Sequence, residues 1–178
     1  MGIIKRNLSQ SSLWRKHLLI FVSVGSREYQ FNRLLKKLDE LVKCGAITDT
    51  VIAQIGQSSY IPKYYRYKRF MPVDEFKVYQ CNADLIISHG GTGSLISALK
   101  MGTQVLAVPR LMKYGEHIDD HQTQVVEVLA KEGYLRYVID MDNLLDEINT
   151  FKSEPITKVY NKPSRVINVI EDYLTKSF

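Results

Sequence analysis

The residues best equipped for chemistry are His89-Gly-Gly-Thr-Gly-Ser94, which directly follow the apolar run Ala83-Asp-Leu-Ile-Ile-Ser88 and precede a helix-periodic stretch, Leu95 to Met101, closed by Gly102. The order reads as a buried strand, a glycine-rich turn and a helix start. Backbone N–H groups at a helix start have no intrahelical partner, and Gly90, Gly91 and Gly93 let a bulky anion approach them with no Cβ in the way. His89 at the lip of the turn offers an imidazole to a phosphate oxygen, and Ser94 adds a hydroxyl in the first helical turn. The pattern points to a phosphate site, with a nucleotide diphosphate as the ligand. It is not a P-loop, because no Gly-Lys-Ser/Thr follows, and Ile96 stands where a dinucleotide fingerprint needs its third glycine. A nucleotide-sugar diphosphate fits better than NAD or ATP. The bare alternative is a tight turn in which glycine serves only close helix–sheet packing.

A second cluster, Glu116-His-Ile-Asp-Asp-His-Gln122, places Glu116, His117, Asp120, His121 and Gln122 at a loop-to-helix junction. Such groups suit sugar hydroxyls. Asp119 also complements the macrodipole of the adjoining helix, and a metal site built from Glu, His and Asp is a further reading. No matching distant ligand set accompanies the cluster, so no metal and no cofactor is expected.

The elements that must position these residues alternate. Strands are expected over Leu18 to Val24, Thr50 to Gly56, a short segment ending at Arg69 to Met71, Asp84 to Ser88, Gln104 to Val108 and Arg136 to Ile139. Helices are expected over the Phe31 to Val42 period up to Gly45, from Pro72 through Glu75 to Cys81, after Thr92, from His117 with Val125, Val128 and Leu129 as its inner face, over Met141 to Phe151, and over Ser164 to Leu174. Continuous apolar strands alternating with helices predict an α/β fold, a single Rossmann-like domain with a parallel sheet. In such a sheet ligands bind outside the carboxyl ends of the strands. The turns at Gly25-Ser26, Phe70-Met71, His89 to Ser94 and Arg110 to Gln122 therefore converge.

A chain of 178 residues is one domain's worth. Residues 1–16 are polar, with Leu13 and Trp14 as their large apolar pair, and are expected to form a flexible or interfacial extension, leaving 17–178 as the folded domain. Two isolated cysteines, Cys44 and Cys81, read as reduced thiols of a cytoplasmic protein, and no apolar run reaches the roughly 18 residues of a membrane span. The net charge of +5 gathers in Lys5, Arg6, Arg15 and Lys16 and again in Lys63, Arg66, Lys68 and Arg69. This suits an anionic membrane surface or a nucleotide ligand before it suits nucleic acid, whose recognised modules the Tyr64 to Phe70 segment does not match.

The stretch Ala83 to Gln122 resembles the nucleotide-binding half of GT-B glycosyltransferases. The likeness is to their small single-domain members, the Alg13-type subunit of the dolichol-linked N-acetylglucosaminyltransferase and the catalytic subunits of bacterial capsule and exopolysaccharide β-1,4-galactosyltransferases. It extends from His17-Leu-Leu-Ile-Phe-Val-Ser-Val-Gly-Ser26 through Tyr60-Ile-Pro-Lys-Tyr64 to Glu116-His-Ile-Asp-Asp-His-Gln122. The resemblance implies half of a GT-B fold and a diphosphate held by Gly25, Ser26, His89, Gly91, Thr92, Gly93 and Ser94. It implies a uracil ring against Phe70 and Met71, and sugar hydroxyls on Asp120, His121 and Gln122. Most relatives carry Glu at the position of Ser97 to bind the ribose, so the ribose contact departs from the pattern or passes to another group such as Glu116.

In activity, the resemblance implies an inverting, metal-independent hexosyltransferase subunit acting on a UDP-sugar, with UDP-galactose favoured, and a lipid-linked saccharide acceptor in capsule or exopolysaccharide synthesis. The base is expected from a partner, with Glu116 and His117 as the local candidates. The acceptor half would come from a membrane-anchored, Alg14-like subunit, which holds the protein at the inner face of the cell membrane. The apolar residues Val166, Ile167, Val169, Ile170, Tyr173 and Leu174 are the expected interface. The alternative is a non-catalytic nucleotide-binding module that stabilises or regulates a transferase partner.

Overall fold

The computed structural model describes residues 17–161. The expected N-terminal extension and the expected helix over 164–174 lie outside them. Six parallel strands form one sheet in the order β3-β2-β1-β4-β5-β6: β1 (Leu19–Ser23), β2 (Thr50–Gln54), β3 (Arg66–Lys68), β4 (Leu85–His89), β5 (Gln104–Val108) and β6 (Arg136–Tyr137). Helices α1 (Asn32–Lys43), α2 (Val73–Asn82), α3 (Thr92–Lys100), α4 (His121–Lys131) and α5 (Leu144–Ser153) connect or follow them. The order reverses between β1 and β4, which pair from Ile20↔Leu85 to Ser23↔Ser88. Loops leaving the two central strands run to opposite sides there, opening a crevice at their carboxyl ends.

Alternation along the central strands fills a core on each face. Ile20, Val22, Leu85, Ile87, Leu106 and Val108 pack with Leu34, Leu35 and Leu38 of α1 and with Leu144, Ile148 and Phe151 of α5. Phe21, Ile86, Val105 and Ala107 face the other way, onto Leu95, Ala98 and Leu99 of α3 and Val126 of α4. Phe21 stacks on Tyr79 at 5.5 Å and meets the edge of Phe76 at 5.2 Å, which fixes α2 over the second face. Both faces being covered explains why these strands are unbroken apolar runs.

Three expectations are corrected. The third strand ends at Lys68 rather than at Arg69 to Met71 and is exposed throughout as a sheet edge. The helix expected from His117 begins at His121, and it buries Gln122 and Val126, one turn apart, while Val128 is 59% exposed. Polar Gln122 belongs to the buried stripe because its Oε1 accepts from the Arg110 N–H at 3.1 Å; of the expected inner face, Val125 and Leu129 do pack on the core and only Val128 is misplaced. The last strand is shorter than Arg136 to Ile139, ending at Tyr137.

Candidate functional site

The carboxyl ends of β1, β2 and β4, with the loops after β3 and β5, enclose a cleft of about 780 Å³, well within the size of small-molecule sites. Its floor is the β4–α3 turn. Gly91 stands at the N-cap of α3 and no side chain caps the helix, so the N–H groups of Thr92, Gly93 and Ser94 start a helix with nothing bonded ahead of them. Gly93 has no atom within 4 Å of where a Cβ would sit, whereas a Cβ on Gly90 would lie 2.8 Å from Gln122 Cβ. Gly90 thus serves the approach of α4, and Gly93 keeps the mouth of the helix open. Ser94 Oγ lies 3.2 Å from Ser88 Oγ, which orients its hydroxyl at the strand end.

His89 sits between two glycines. A Cβ on Gly25 would lie 2.7 Å from its Nε2, and one on Gly91 would lie 2.5 Å away. Gly25 also has φ +84, so the turn after β1 needs glycine twice over. Nδ1 faces the Ser23 carbonyl at 3.2 Å and must carry the proton, because a carbonyl only accepts. Burial first, then the nearby charge of Arg110, lowers the imidazole pKa to about 4. The ring is therefore neutral at pH 7 with Nε2 as an acceptor, and Nε2 can donate to a phosphate only once the ring itself has taken up a proton.

Gly25, Ser26, Phe70, Met71, His89, Gly91, Thr92, Gly93, Ser94, Ser97, His117, His121 and Gln122 all line this cleft. Phe70 is 46% exposed at its rim, and the Met71 N–H donates to Gln54 Oε1 at 3.0 Å. Ser97 Oγ donates to Gln80 Oε1 at 3.3 Å, and buried Gln80 lines the cleft beside it, so an amide stands next to the place where relatives carry Glu. Two expected residues are elsewhere. Glu116 is fully buried: Arg33 donates to it through Nε at 3.1 Å and Nη2 at 3.0 Å, and the Leu111 N–H donates at 3.0 Å. A carboxylate so engaged shapes the loop and does not line the cleft. Asp120 Oδ1 accepts from the Met112 N–H at 2.8 Å and likewise holds the loop.

The side chain that takes the place of Asp120 in the cleft is Asp119. Its Oδ1 lies 3.1 Å from His117 Nδ1 and also accepts from the His121 N–H at 3.0 Å. That amide bond, ahead of the two histidines' charges, lowers the Asp119 pKa. His117 rests against Tyr29 at 5.1 Å between ring centres, and its Nδ1 faces both Asp119 Oδ1 at 3.1 Å and the Asp119 N–H at 3.4 Å, so Asp119 fixes the ring on that side. Among the described residues no group of three or more His, Cys, Asp or Glu is placed to hold a metal ion, because Glu116 and Asp120 turn into the loop. Gln54, Gln80, Arg27 and Lys77, also in the lining, belong to no sequence motif. Arg110, the first residue of the turn expected to converge on the site, lines it as well, just past Pro109 at the carboxyl end of β5, although nothing in the sequence assigns it a role.

A parallel sheet whose crevice opens on an uncapped glycine-rich helix start is an α/β domain with a cleft suited to a phosphate-bearing ligand. Residues 19–172 match the glycosyltransferase family 28 C-terminal domain, and the chain belongs to that family. It is 29% identical over 141 residues to the human UDP-N-acetylglucosamine transferase subunit ALG13, covering 66% of this chain and 11% of that protein. To the Candida albicans protein of the same name it is 25% identical over 130 residues, covering 73% of this chain and 38% of the relative. The chain thus spans well under half the length of these relatives. Among solved structures, the glycotransferase of kitacinnamycin superposes with a TM-score of 0.60 at 19% identity, over 78% of this chain and 36% of that one. The solution structure of ALG13 superposes with a TM-score of 0.54 at 15% identity, over 84% of this chain and 92% of that one. The fold is one Rossmann-like half of a GT-B glycosyltransferase.

Proposed function

We propose that the chain is the donor-binding subunit of an inverting glycosyltransferase that moves a hexose from a UDP-sugar to a lipid-linked saccharide. The observation that carries this reading is the cleft itself: free amides of Thr92, Gly93 and Ser94 open onto a lining whose formal charges are Arg27, Lys77 and Arg110 against Asp119. In a single displacement a base takes the proton of the acceptor hydroxyl, the hydroxyl oxygen bonds to the sugar C1, and the C1–O bond to the diphosphate breaks. Negative charge then gathers on the departing UDP, where the α3 amides stabilise it. No metal or other cofactor is required for that step. His117, oriented by Asp119, is the local candidate for the base, and a partner supplies the acceptor site.

The relatives' names carry UDP-N-acetylglucosamine and the word subunit, which supports a UDP-sugar donor and a partner. The membrane-anchored, Alg14-type nature of that partner, and galactose as the favoured sugar, are our reading from the resemblance noted in the sequence. No helix of the described residues is long and apolar enough to cross a membrane, consistent with attachment to the inner membrane face through the partner. Calorimetric titration with UDP, UDP-galactose, UDP-glucose and UDP-N-acetylglucosamine tests the site. Transfer is then followed with and without membranes carrying the partner. Absence of UDP binding would overturn the reading. UDP binding without discrimination among sugars or transfer in any combination would favour a regulatory nucleotide-binding module, the role to which the Ser97–Gln80 contact lends some weight.

A further inference from the structure

We propose that Arg110 binds the diphosphate of the nucleotide ligand and sets the preference for a diphosphate over a nucleoside, an inference that rests on the donor-site reading. Arg110 is only 1% exposed and yet lines the cleft. Of the five guanidinium N–H groups, its hydrogen bonds come from Nη2 alone, to the carbonyls of Val24 and of Tyr29, the latter at 3.1 Å. Nε is buried without a partner. The guanidinium lies over the Phe31 ring at 5.6 Å, and its own backbone N–H is tied to Gln122, so the group is held from several directions.

Two carboxylates, Glu116 and Glu28, act on Arg110 through space, and neither pairs with it among the described residues. Both oxygens of Glu116 are taken by Arg33 and the Leu111 N–H. Arg110 forms no ion pair among the described residues. A buried cation bonded only to carbonyls is costly unless an anion completes it. Its neighbour in the cleft is the open start of α3, which is suited to the same anion. Arginine fits phosphate oxygens through several donors at once, which a lysine does not.

The test uses the full chain and compares Kd for uridine, UMP and UDP in wild type, Arg110→Gln and Arg110→Lys. The expected result is a loss of about ten- to hundredfold in UDP affinity for Arg110→Gln, with uridine unchanged and partial recovery in Arg110→Lys. If UDP and uridine fell together, Arg110 would be a scaffold for the loop, and unchanged UDP affinity would equally overturn the proposal. Should the variants fail to fold, the wild-type Arg110 Nε–H resonance, identified through its contact with the Phe31 ring, decides. A shift with UDP but not with uridine supports the proposal, and no shift overturns it. A wild-type chain that bound no UDP at all would remove the donor-site reading and this inference together, whereas normal wild-type binding with an indifferent Arg110 would remove only the latter.

Discussion

At the scale of the residue, the cleft keeps His89 in the form least disposed to donate. Its folded pKa is lowered from 6.5 to about 4 by burial first. The unfolded chain therefore binds the proton that the folded one refuses, and stability falls as pH drops from about 6.5 towards 4. The shift corresponds to about 3 kcal/mol. Urea denaturation of wild type and His89→Gln at pH 7.5 and pH 4.5 should show the variant gaining on wild type at the lower pH. A parallel decline of both would mean that His89 is not the group concerned. Glu116 gives the second prediction. Removing a buried carboxylate that holds Arg33 leaves an uncompensated cation, so Glu116→Ala is expected to cost roughly 3–5 kcal/mol in stability. Loss of activity would then accompany a lowered Tm; activity lost from Glu116→Gln with an unchanged Tm would return Glu116 to the role of a base. The sequence pattern made Glu116 and Asp120 look like ligands because polar residue types were visible and their partners were not. Arg33 lies 83 positions from Glu116, and nothing local announces the pair.

At the scale of the element, β1, β4 and the β4–α3 turn were legible because buried parallel strands are continuous apolar runs and glycine marks the turn. The parallel sheet and the doubly covered core follow from the same alternation of strands and helices, whereas the strand order does not. The features that escaped were decided by tertiary contacts. The α4 stripe runs through polar Gln122, and β3 is fixed by its register on β2, from Ile52↔Arg66 to Gln54↔Lys68, rather than by apolar content. Two glycines three residues apart should separate packing from binding. Gly90→Ala drives a Cβ against Gln122 and Val126, and an overpacked contact of that kind costs about 1–3 kcal/mol. Gly93→Ala meets nothing and removes a helical glycine, so thermal stability should hold or rise by up to about 1 kcal/mol. Its methyl group stands in the mouth of α3, where UDP affinity should fall. Differential scanning fluorimetry with UDP titration reads both quantities, and unimpaired UDP binding by a stable Gly93→Ala chain would move the phosphate site off this helix.

At the scale of the whole molecule, one crevice wall is present and the acceptor wall is not among the described residues. Around the crevice mouth the chain exposes apolar side chains that a monomer would ordinarily cover: Phe70 at 46%, Val73 at 69%, Met112 at 57%, Tyr114 at 48% and Ile118 at 69%. Phe70 and Val73 follow β3 and line the cleft, whereas the other three belong to the loop between β5 and α4, which sends His117 and Asp119 into the cleft. A second protein seated on that rim would exclude water from the C1–O bond and bring the acceptor hydroxyl to the sugar. The apolar residues over 164–174 lie outside the described part and are the interface expected from the sequence. Purified alone, the chain should bind a UDP-sugar and transfer little, and addition of the membrane-anchored partner should raise transfer without a comparable change in UDP affinity. Truncation after Tyr160 and, separately, Ile118→Asp with Met112→Asp tell the two surfaces apart by co-purification. Loss only on truncation assigns the contact to the C-terminal segment, loss only in the rim variant assigns it to the crevice mouth, and vigorous transfer to a lipid-linked acceptor by the purified chain alone would overturn the need for a partner.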